Sequence, residues 1–357
     1  MSPIPATMKA LRLVKYNSSY KLEQIPTPTI GDNDLLVKVG AAGFCHTDYQ
    51  VHQGVYNSPI PLTPSHEPVG TIAAVGKKVS AAWKVGQRIG ILNFRHACNA
   101  CVGCQEARDP AALEEPDTRF CKNKEMAGIS ADGGFAEYII ADPATSVPLP
   151  DGLEFEHAAP LMCAGATVWT GLDGADVKPG LPIGVIGIGG LGMYALQFAA
   201  AQGHPTIAID NRQEGLDLAR SLPSQFKPTA VIDYNASNAQ EQIVEAAGGD
   251  GLAAVLVCTD DVQATEWSLK LLRTHGTCIP LGLPAEGFKF SAFDVVFKEL
   301  TIRGSLVANR RLATEMMRFV AEKGMHSHVT TVRLEEGEDL PQCYMDPHLK
   351  GRLVVVM

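Results

Sequence analysis

The sequence predicts an α/β protein of two domains, in which an irregular β-rich domain is joined to a doubly wound parallel-sheet domain. Its 357 residues are more than one domain usually contains. Up to about residue 155, short β-prone runs are interrupted by glycine and proline, which is typical of an irregular all-β domain. From 158 to 307, β runs alternate with helical patterns, and this alternation indicates a parallel sheet covered by helices.

The first domain is predicted to span 1–157. Its clearest β runs are Leu35 to Val39 and Pro68 to Ile72, which are rich in branched aliphatic residues. The end of the chain, 308–357, contains one helical pattern, Leu312 to Lys323, and one β run, Arg352 to Val356. That is too little to fold alone, so we expect this tail to complete the first domain.

The second domain is predicted to span 158–307. Each of its β runs is short, apolar and followed by a segment with helical periodicity or a turn, as in a parallel sheet. The runs are Pro182 to Gly187, Thr206 to Asp210, Ala230 to Ile232, Ala254 to Val257 and Thr277 to Leu281.

Composition and charge exclude several classes of protein. Hydrophobic residues make up 46% and charged residues 19%, a globular composition. No apolar run approaches the ~20 residues that a membrane span needs, and the first residues lack a secretion leader, so we expect a cytoplasmic protein. A net charge of −9 argues against a nucleic-acid or membrane partner. Nine cysteines in such a chain favour metal binding or catalysis over disulfides.

A glycine motif predicts a dinucleotide site in the second domain. The run of Gly187, Ile188, Gly189, Gly190, Leu191 and Gly192 has the form G-x-G-x-x-G, between a predicted strand and a predicted helix. The next strand ends in Asp210, 18 positions after Gly192. A carboxylate there would accept hydrogen bonds from the adenosine ribose and repel a 2′-phosphate, which favours NAD(H) over NADP(H). Arg212 could approach a 2′-phosphate and leaves the preference open.

A cluster of cysteines predicts a structural zinc site in the first domain. Cys98, Cys101 and Cys104 follow one another at C-x2-C-x2-C spacing, and Cys121 lies further on. Four thiolates form a closed tetrahedral site with no open position for a substrate. The alternative is a chance cluster of free thiols, and Cys121 is separated from Cys104 by 16 residues.

A second set of possible ligands is scattered along the chain. Cys45, His66 and Cys163 would give two thiolates and one imidazole, with a fourth position open, which is the pattern of a catalytic zinc. Each of these residues could equally be an ordinary buried cysteine or histidine. Spacing alone does not assemble this site.

The motifs in this order resemble the zinc-dependent medium-chain alcohol dehydrogenases, most closely their yeast-type branch. They are G-F-C-H-T-D around Cys45, the segment S-H-E at His66, the C-x2-C-x2-C cluster, Cys163 and the glycine turn. The resemblance implies a GroES-like catalytic domain and a Rossmann NAD(P)-binding domain. It also implies two zinc ions per chain, a homodimer or homotetramer, and hydride transfer between a nicotinamide cofactor and a small alcohol or carbonyl compound, with zinc activating the substrate oxygen.

The resemblance also implies roles for single residues. Glu67 would lie close to the catalytic metal, Asp48 would orient a histidine ligand, Thr47 would hydrogen-bond the substrate oxygen, and Arg352 would contact the cofactor pyrophosphate. The implied ligands of the catalytic zinc are Cys45, His66 and Cys163. Those of the structural zinc are Cys98, Cys101, Cys104 and Cys121.

The sequence departs from the family pattern at two places. Gln50 stands where the family often has the histidine that ends the proton relay, so we expect His52 or water to take that role. The segment between Cys104 and Cys121 is longer than usual, and its inserted part, Ala107 to Arg119, is expected to be an exposed loop.

Two aromatic residues are candidates for the substrate pocket. Tyr56 and Phe94 fall where the family lines its substrate channel, with core packing as the alternative for each. Leu300 to Val307 could supply the sheet edge for association of two copies.

Two other functions are compatible with the fold. One is an NADPH-dependent enone or quinone reductase without catalytic zinc, and the other is a binding protein that has lost its chemistry. Retention of Cys45, His66 and Cys163 argues against both.

Overall fold

The computed structural model describes residues 3–106 and 117–357. The chain divides into two compact units, one running to Cys163 and resuming at Ala308, and the other spanning Ala164–Val307. The first boundary lies a few residues beyond the expected 157, because a 3₁₀ turn at Ala159–Met162 packs against the sheet of the first unit. Most of the inserted segment predicted to be an exposed loop, 107–116, lies outside the described residues.

The first unit begins with short strands and helices. In chain order they are β1 (Thr7–Arg12), β2 (Lys21–Pro26), β3 (Leu35–Phe44), α1 (His46–His52), β4 (Glu67–Val75), β5 (Arg88–Ile91), β6 (Phe94–Arg95), α2 (Val102–Glu106), β7 (Glu125–Met126), β8 (Tyr138–Ala141), β9 (Ser146–Pro148) and α3 (Phe155–Ala158).

The second unit alternates helices and strands, as the sequence predicts. In chain order they are α4 (Ala164–Ala175), β10 (Ile183–Ile186), α5 (Gly190–Ala201), β11 (Thr206–Asp210), α6 (Gln213–Ser221), β12 (Ala230–Asp233), α7 (Ala239–Ala246), β13 (Leu252–Val257), α8 (Val262–Ser268), β14 (Leu272–Pro280), α9 (Ala292–Phe297) and β15 (Thr301–Ile302).

The tail returns to the first unit. Its elements are α10 (Arg310–Lys323), β16 (Val329–Arg333), α11 (Leu340–Tyr344) and β17 (Arg352–Val356). The helix α10 begins where the Asn309 side chain accepts a hydrogen bond from the Leu312 N–H at 2.9 Å, and it ends at Gly324 in a left-handed conformation. The predicted helix and final strand are therefore both present.

The main sheet of the first unit has the order β16-β17-β3-β4-β5-β9, with β8 also paired to β3. All its pairs are antiparallel except β16 with β17. The central strand β3 is buried along almost its whole length, which explains its nearly continuous apolar sequence. Because β17 pairs directly with β3, the tail completes this sheet, as expected.

The sheet of the second unit is parallel, with the order β12-β11-β10-β13-β14-β15. Its order reverses between β10 and β13, so the carboxyl ends of these two strands form the switch point at which such sheets bind ligands. This confirms the doubly wound parallel sheet. The strand β14 starts earlier than the predicted Thr277, because Leu272 pairs with Leu252 before a bulge that polar residues obscure in the sequence.

Among the described residues, no helix is both long and apolar enough to cross a membrane.

Candidate functional site

Four side chains of the first unit converge from distant parts of the sequence. Each of Cys45, His66, Glu67 and Cys163 offers one ligand atom, and these atoms lie within 4.8 Å of one another. Cys45 follows the central strand β3, His66 directly precedes β4, and Cys163 follows the 3₁₀ turn that packs on the sheet. The structure therefore brings together the scattered set that spacing alone could not assemble.

The chemistry of this cluster fits zinc. The sulfurs of Cys45 and Cys163 are 4.0 Å apart, close to the ~3.8 Å edge of a tetrahedron with Zn–S bonds of ~2.3 Å. The hydrogen bond with Cys163 holds the pKa of Cys45 well below its usual value, and the thiolate is the form of cysteine that binds metal. Two sulfurs and one imidazole leave a fourth position for a substrate oxygen, which is the pattern of a catalytic site.

A buried carboxylate, that of Asp48, ties two of the ligands together. One of its oxygens accepts a hydrogen bond from the backbone N–H of Cys45 at 2.8 Å. The other accepts from the backbone N–H of Ser65 at 3.0 Å and from Nδ1 of His66 at 3.2 Å. With Nδ1 donating to Asp48, the Nε2 lone pair of His66 is left for a metal. The expected role of Asp48 therefore has the required geometry.

Sequence reasoning missed the contribution of Ser65. Its φ of +78° is in the left-handed region, which is unusual for a residue with a side chain. Its Oγ donates a hydrogen bond to the carbonyl of Gly43 at 2.8 Å, which holds the turn against β3. This turn places His66 beside Cys45. Nothing in the sequence pattern indicates a left-handed serine at this position.

The carboxylate of Glu67 is paired with Arg352. Both its oxygens accept hydrogen bonds from Nη2 of Arg352, and both side chains are buried. Burial raises the pKa of Glu67 to about 8, although the neighbouring guanidinium acts in the opposite direction. The side chain of Arg352, expected at the cofactor pyrophosphate, is therefore already engaged inside the first unit.

The structure does not support a proton-relay role for His52. The ring is buried, with 7% of the residue exposed, and stacks on Tyr49 at a centroid distance of 5.8 Å. Its Nε2 donates a hydrogen bond to the carbonyl of Ser18 at 3.1 Å, and its Nδ1 is buried without a partner. A buried ring held by a backbone carbonyl contributes to packing; this geometry favours water over His52, whose relay role stays a prediction. Thr47, half-buried on α1 and two residues from Cys45, keeps its predicted role.

The two predicted pocket residues lie in different surroundings. Tyr56 is 38% exposed, and its hydroxyl donates to Oε1 of Gln50 at 3.1 Å. Phe94 is only 4% exposed, pairs with Met126 in a two-residue strand and has Nζ of Lys124 5.2 Å from its ring centre. Packing is therefore the better description of Phe94, whereas Tyr56 remains a candidate.

The four other predicted ligands also converge, and they form a closed cluster. One ligand atom from each lies within 4.8 Å of the others: Cys98, Cys101, Cys104 and Cys121. The sulfurs of Cys101 and Cys104 are 3.6 Å apart, and Cys121 Sγ accepts a hydrogen bond from the backbone N–H of Cys98 at 3.3 Å. Cys121 therefore joins the cluster, whatever the length of the chain between it and Cys104. A set of four sulfurs fits a structural zinc.

The pKa values of this cluster also differ from those of free thiols. Backbone hydrogen bonds, chiefly that from Ala100, lower the pKa of Cys98 to about 6, and burial raises that of Cys104 to about 12. A divalent cation compensates the charge of several thiolates held so close together, because it binds the deprotonated form.

The glycine turn of the second unit has the geometry of a phosphate-binding turn. Gly187 has φ of +88°, a conformation that favours glycine. A Cβ on Gly192 would lie 2.2 Å from the Gly187 carbonyl, so only glycine allows helix α5 to approach β10 this closely. The helix begins at Gly190, runs through Leu191 and is preceded by Gly189, so its first N–H groups are free for an anion.

Asp210 is connected to this turn. It is buried at the end of β11, where one oxygen accepts from the Ile188 N–H at 2.6 Å and the other from the Arg212 N–H at 2.8 Å. Each oxygen keeps a further lone pair for a ribose hydroxyl. The half-exposed Arg212 side chain lies with Nε 3.4 Å from the same carboxylate. Both residues therefore lie beside the glycine turn, and their roles toward the cofactor stay predictions.

Two protein-family profiles match the chain. One, described as the alcohol dehydrogenase GroES-like domain, covers residues 31–151, and the other, described as zinc-binding dehydrogenase, covers 190–322. The first match lies in the β-rich unit, and the second lies mainly in the parallel-sheet unit.

Whole-chain comparisons give the same result. An alcohol dehydrogenase from Geobacillus stearothermophilus is 34% identical over 98% of this chain and 99% of its own length. The crystal structure of an alcohol dehydrogenase from Aeropyrum pernix has a TM-score of 0.85 and 26% identity, covering 98% of this chain and all of that one. A zinc-binding dehydrogenase from Sinorhizobium meliloti, solved with NADP, has a TM-score of 0.85 and 26% identity over 99% of this chain and 100% of that chain.

Asp48→Asn tests the shared carboxylate. We expect zinc affinity at the Cys45–His66–Cys163 site to fall by about 10–100-fold, because the imidazole loses the anionic acceptor that orients it. Affinity is measured by competition with a chromogenic chelator. Asp151→Asn, in an exposed turn, is the matched control and should bind zinc as the parent does. Equal affinity in Asp48→Asn would contradict this role.

His52→Phe tests packing against proton relay. Burial lowers the pKa of His52 below its ordinary 6.5, so the unfolded chain takes up a proton first as pH falls. The free energy of unfolding of the parent therefore falls below about pH 6.5. The variant has no imidazole at this position, so its free energy of unfolding should fall less between pH 7.5 and 5.5, as measured by denaturant titration. The shape of its pH–rate profile should match the parent, and a lost ionisation would restore the relay role.

Proposed function

The chain belongs to the zinc-dependent medium-chain alcohol dehydrogenase family, with a GroES-like and a Rossmann-type domain, and from this premise we propose how its residues carry the reaction. It is an oxidoreductase that interconverts an alcohol and a carbonyl compound with a nicotinamide cofactor. Its membership of the yeast-type branch stays a prediction. The observation that carries the proposal is the convergence of Cys45, His66 and Cys163, because three such ligands leave the fourth position of a zinc ion to the substrate oxygen.

The residues of the first unit prepare the substrate oxygen. Zinc, when bound, supplies Lewis acidity that lowers the pKa of an alcohol hydroxyl, and the nicotinamide accepts the hydride. Asp48 keeps Nδ1 of His66 protonated and the ring oriented. Thr47 hydrogen-bonds the substrate oxygen and passes its proton on. Gln50 cannot titrate near neutral pH, so the proton leaves through water.

The two alternative functions are not favoured. An enone or quinone reductase of this superfamily works without catalytic zinc and would not need two thiols and an imidazole gathered within 4.8 Å. A binding protein that has lost its chemistry would not need the buried Asp48 that orients His66.

We propose that each chain holds two zinc ions. The support is the donor chemistry of the two clusters, one open and one closed. Both zinc sites require reduced thiols. In the described part of the chain all nine cysteines are free, and free thiols are typical of the reducing cytoplasm, so we propose a cytoplasmic location.

A pair of cysteine variants tests this stoichiometry. Elemental analysis should find two zinc ions in the parent, and one each in Cys104→Ser and Cys163→Ser. Cys163→Ser should lose activity by at least about 100-fold, because Lewis-acid stabilisation is worth several kcal/mol. Cys104→Ser should instead lower the melting temperature, because a structural metal contributes to folding. One zinc in the parent would contradict the proposal.

We propose NAD(H) as the preferred cofactor. The support is the buried carboxylate of Asp210 at the end of β11, whose free lone pairs suit ribose hydroxyls and whose charge repels a 2′-phosphate. Its neighbour Arg212 contributes a half-exposed cation, but this cation already lies against the same carboxylate. The contact of Arg352 with the pyrophosphate stays a prediction.

Asp210→Asn tests the cofactor preference. The parent should prefer NADH over NADPH in kcat/KM, and the variant should narrow that ratio by about tenfold, because removing a like charge relieves repulsion of the 2′-phosphate. Both cofactors are followed by their absorbance with a panel of aldehydes. Asp233→Asn, exposed at the end of the adjacent strand β12, is the matched control and should keep the parent ratio. A parent active only with NADPH would overturn the assignment.

We also propose a homodimer or homotetramer. The strand β15 is the edge of the parallel sheet, within the expected Leu300 to Val307 segment. Beside it in sequence, α9 exposes Phe293, Val296 and Phe297, each between 66% and 71% exposed. An open edge next to exposed apolar side chains suits pairing with a second copy of the chain.

A further inference from the structure

The Glu67–Arg352 pair joins strands that are not neighbours. Glu67 opens β4 and Arg352 opens β17, and β3 lies between these two strands in the sheet. Adjacent strands are about 4.8 Å apart, so the backbones that carry the two partners are separated by roughly 10 Å. The two side chains can therefore meet only by crossing over β3.

The crossing occurs at Gly43. In the register of the sheet, Gly43 of β3 lies opposite Glu67 on one side and opposite Val354 on the other. Arg352 is two residues from Val354, and residues two apart point to the same face of a strand. Glu67, the Gly43 position and Arg352 therefore share one face of the sheet.

The carboxylate occupies the space that a side chain on Gly43 would fill. A Cβ built on Gly43 would lie 1.9 Å from Oε2 of Glu67 and 3.0 Å from its Cδ. Contacts under 3.0 Å do not occur for real Cβ atoms, so one of the two groups would have to move. Glu67 is fully buried, so a displaced carboxylate cannot simply turn into solvent.

We propose that Gly43 is a positioning residue, whose missing side chain lets Glu67 reach Arg352 across the central strand and so keeps its carboxylate from becoming a ligand of the catalytic metal. The other polar place within reach is the ligand cluster itself, because an oxygen of Glu67 already lies within 4.8 Å of the Cys45, His66 and Cys163 ligand atoms. Gly43 thus decides which of two partners the carboxylate takes. The inference rests on the proposed catalytic zinc.

Gly43→Ala tests this inference in protein whose catalytic zinc has been replaced by Co²⁺. We expect the visible Co²⁺ spectrum to change, because the displaced carboxylate becomes a ligand. We also expect the KM for alcohol to rise by about tenfold with a smaller change in kcat, because loss of binding shared by ground state and transition state appears mainly in KM. Metal content should stay at the parent value. An unchanged spectrum and KM, with metal bound, would overturn the inference.

Second-site variants separate steric displacement of Glu67 from general damage. In Gly43→Ala with Glu67→Ala, the carboxylate is gone, so the spectrum and KM should match those of Glu67→Ala alone. In the double variant of Gly43→Ala with Glu67→Gln, the side-chain amide still occupies the space beside Gly43. The Co²⁺ spectrum and the KM of this double variant should therefore differ from those of Glu67→Gln alone. Equal effects of Gly43→Ala in both backgrounds would show that it does not act through Glu67.

Two further outcomes are informative. If Gly43→Ala alone does not fold, recovery of soluble protein with Glu67→Ala but not with Glu67→Gln supports the inference, and recovery with neither overturns it. If the parent binds no metal at the Cys45 site, the proposed function itself fails. Metal analysis of the parent therefore distinguishes the two failures.

Discussion

The hydrogen bonds of the buried Asp48 carboxylate are the interactions on which the rest of the candidate active site depends. This carboxylate sits in the first turn of α1 and accepts hydrogen bonds from the chain on both sides of the site, at Cys45 and at Ser65 with His66. A buried charge is tolerated only when such partners compensate its lost hydration. The same bonds that stabilise Asp48 therefore hold the predicted ligands in place, so the fold of this region also arranges the proposed metal site.

The central strand β3 carries the second constraint. It leads directly into Cys45, it pairs with β4 and β17, and it passes beneath the Glu67–Arg352 pair at Gly43. The pairing of β17 with β3 also brings a residue of the tail to the candidate site. By adding β17 next to β3, the tail supplies the cation that neutralises a carboxylate which would otherwise be buried beside two thiols and an imidazole.

In the second unit, the residues predicted to bind the cofactor are close to one another in sequence. The glycine turn, the start of α5 and the acidic residue at the end of β11 lie within about one strand–helix–strand unit, as the motif requires. Asp210 accepts the N–H of Ile188 and so links the second strand to the turn. The predicted cofactor residues of this unit thus lie close together in sequence, whereas the predicted ligands Cys45 and Cys163 are 118 positions apart.

The sequence alone determined the features that depend on short spacing. The parallel-sheet domain, the glycine turn with Asp210 and the three cysteines from Cys98 to Cys104 were all predicted from periodicity or spacing, because neighbours in sequence must also be neighbours in space. Cys45, His66 and Cys163 were predicted only through a family resemblance.

Only the tertiary structure decided the rest. It placed His52 and Phe94 in packed surroundings, it joined Glu67 to Arg352 across 285 positions of sequence, and it gave Gly43 and Ser65 their roles. These contacts follow from the register and order of the strands. The alternation of apolar residues restricts the register of each strand, but which strands become neighbours is decided by the packing of the whole sheet.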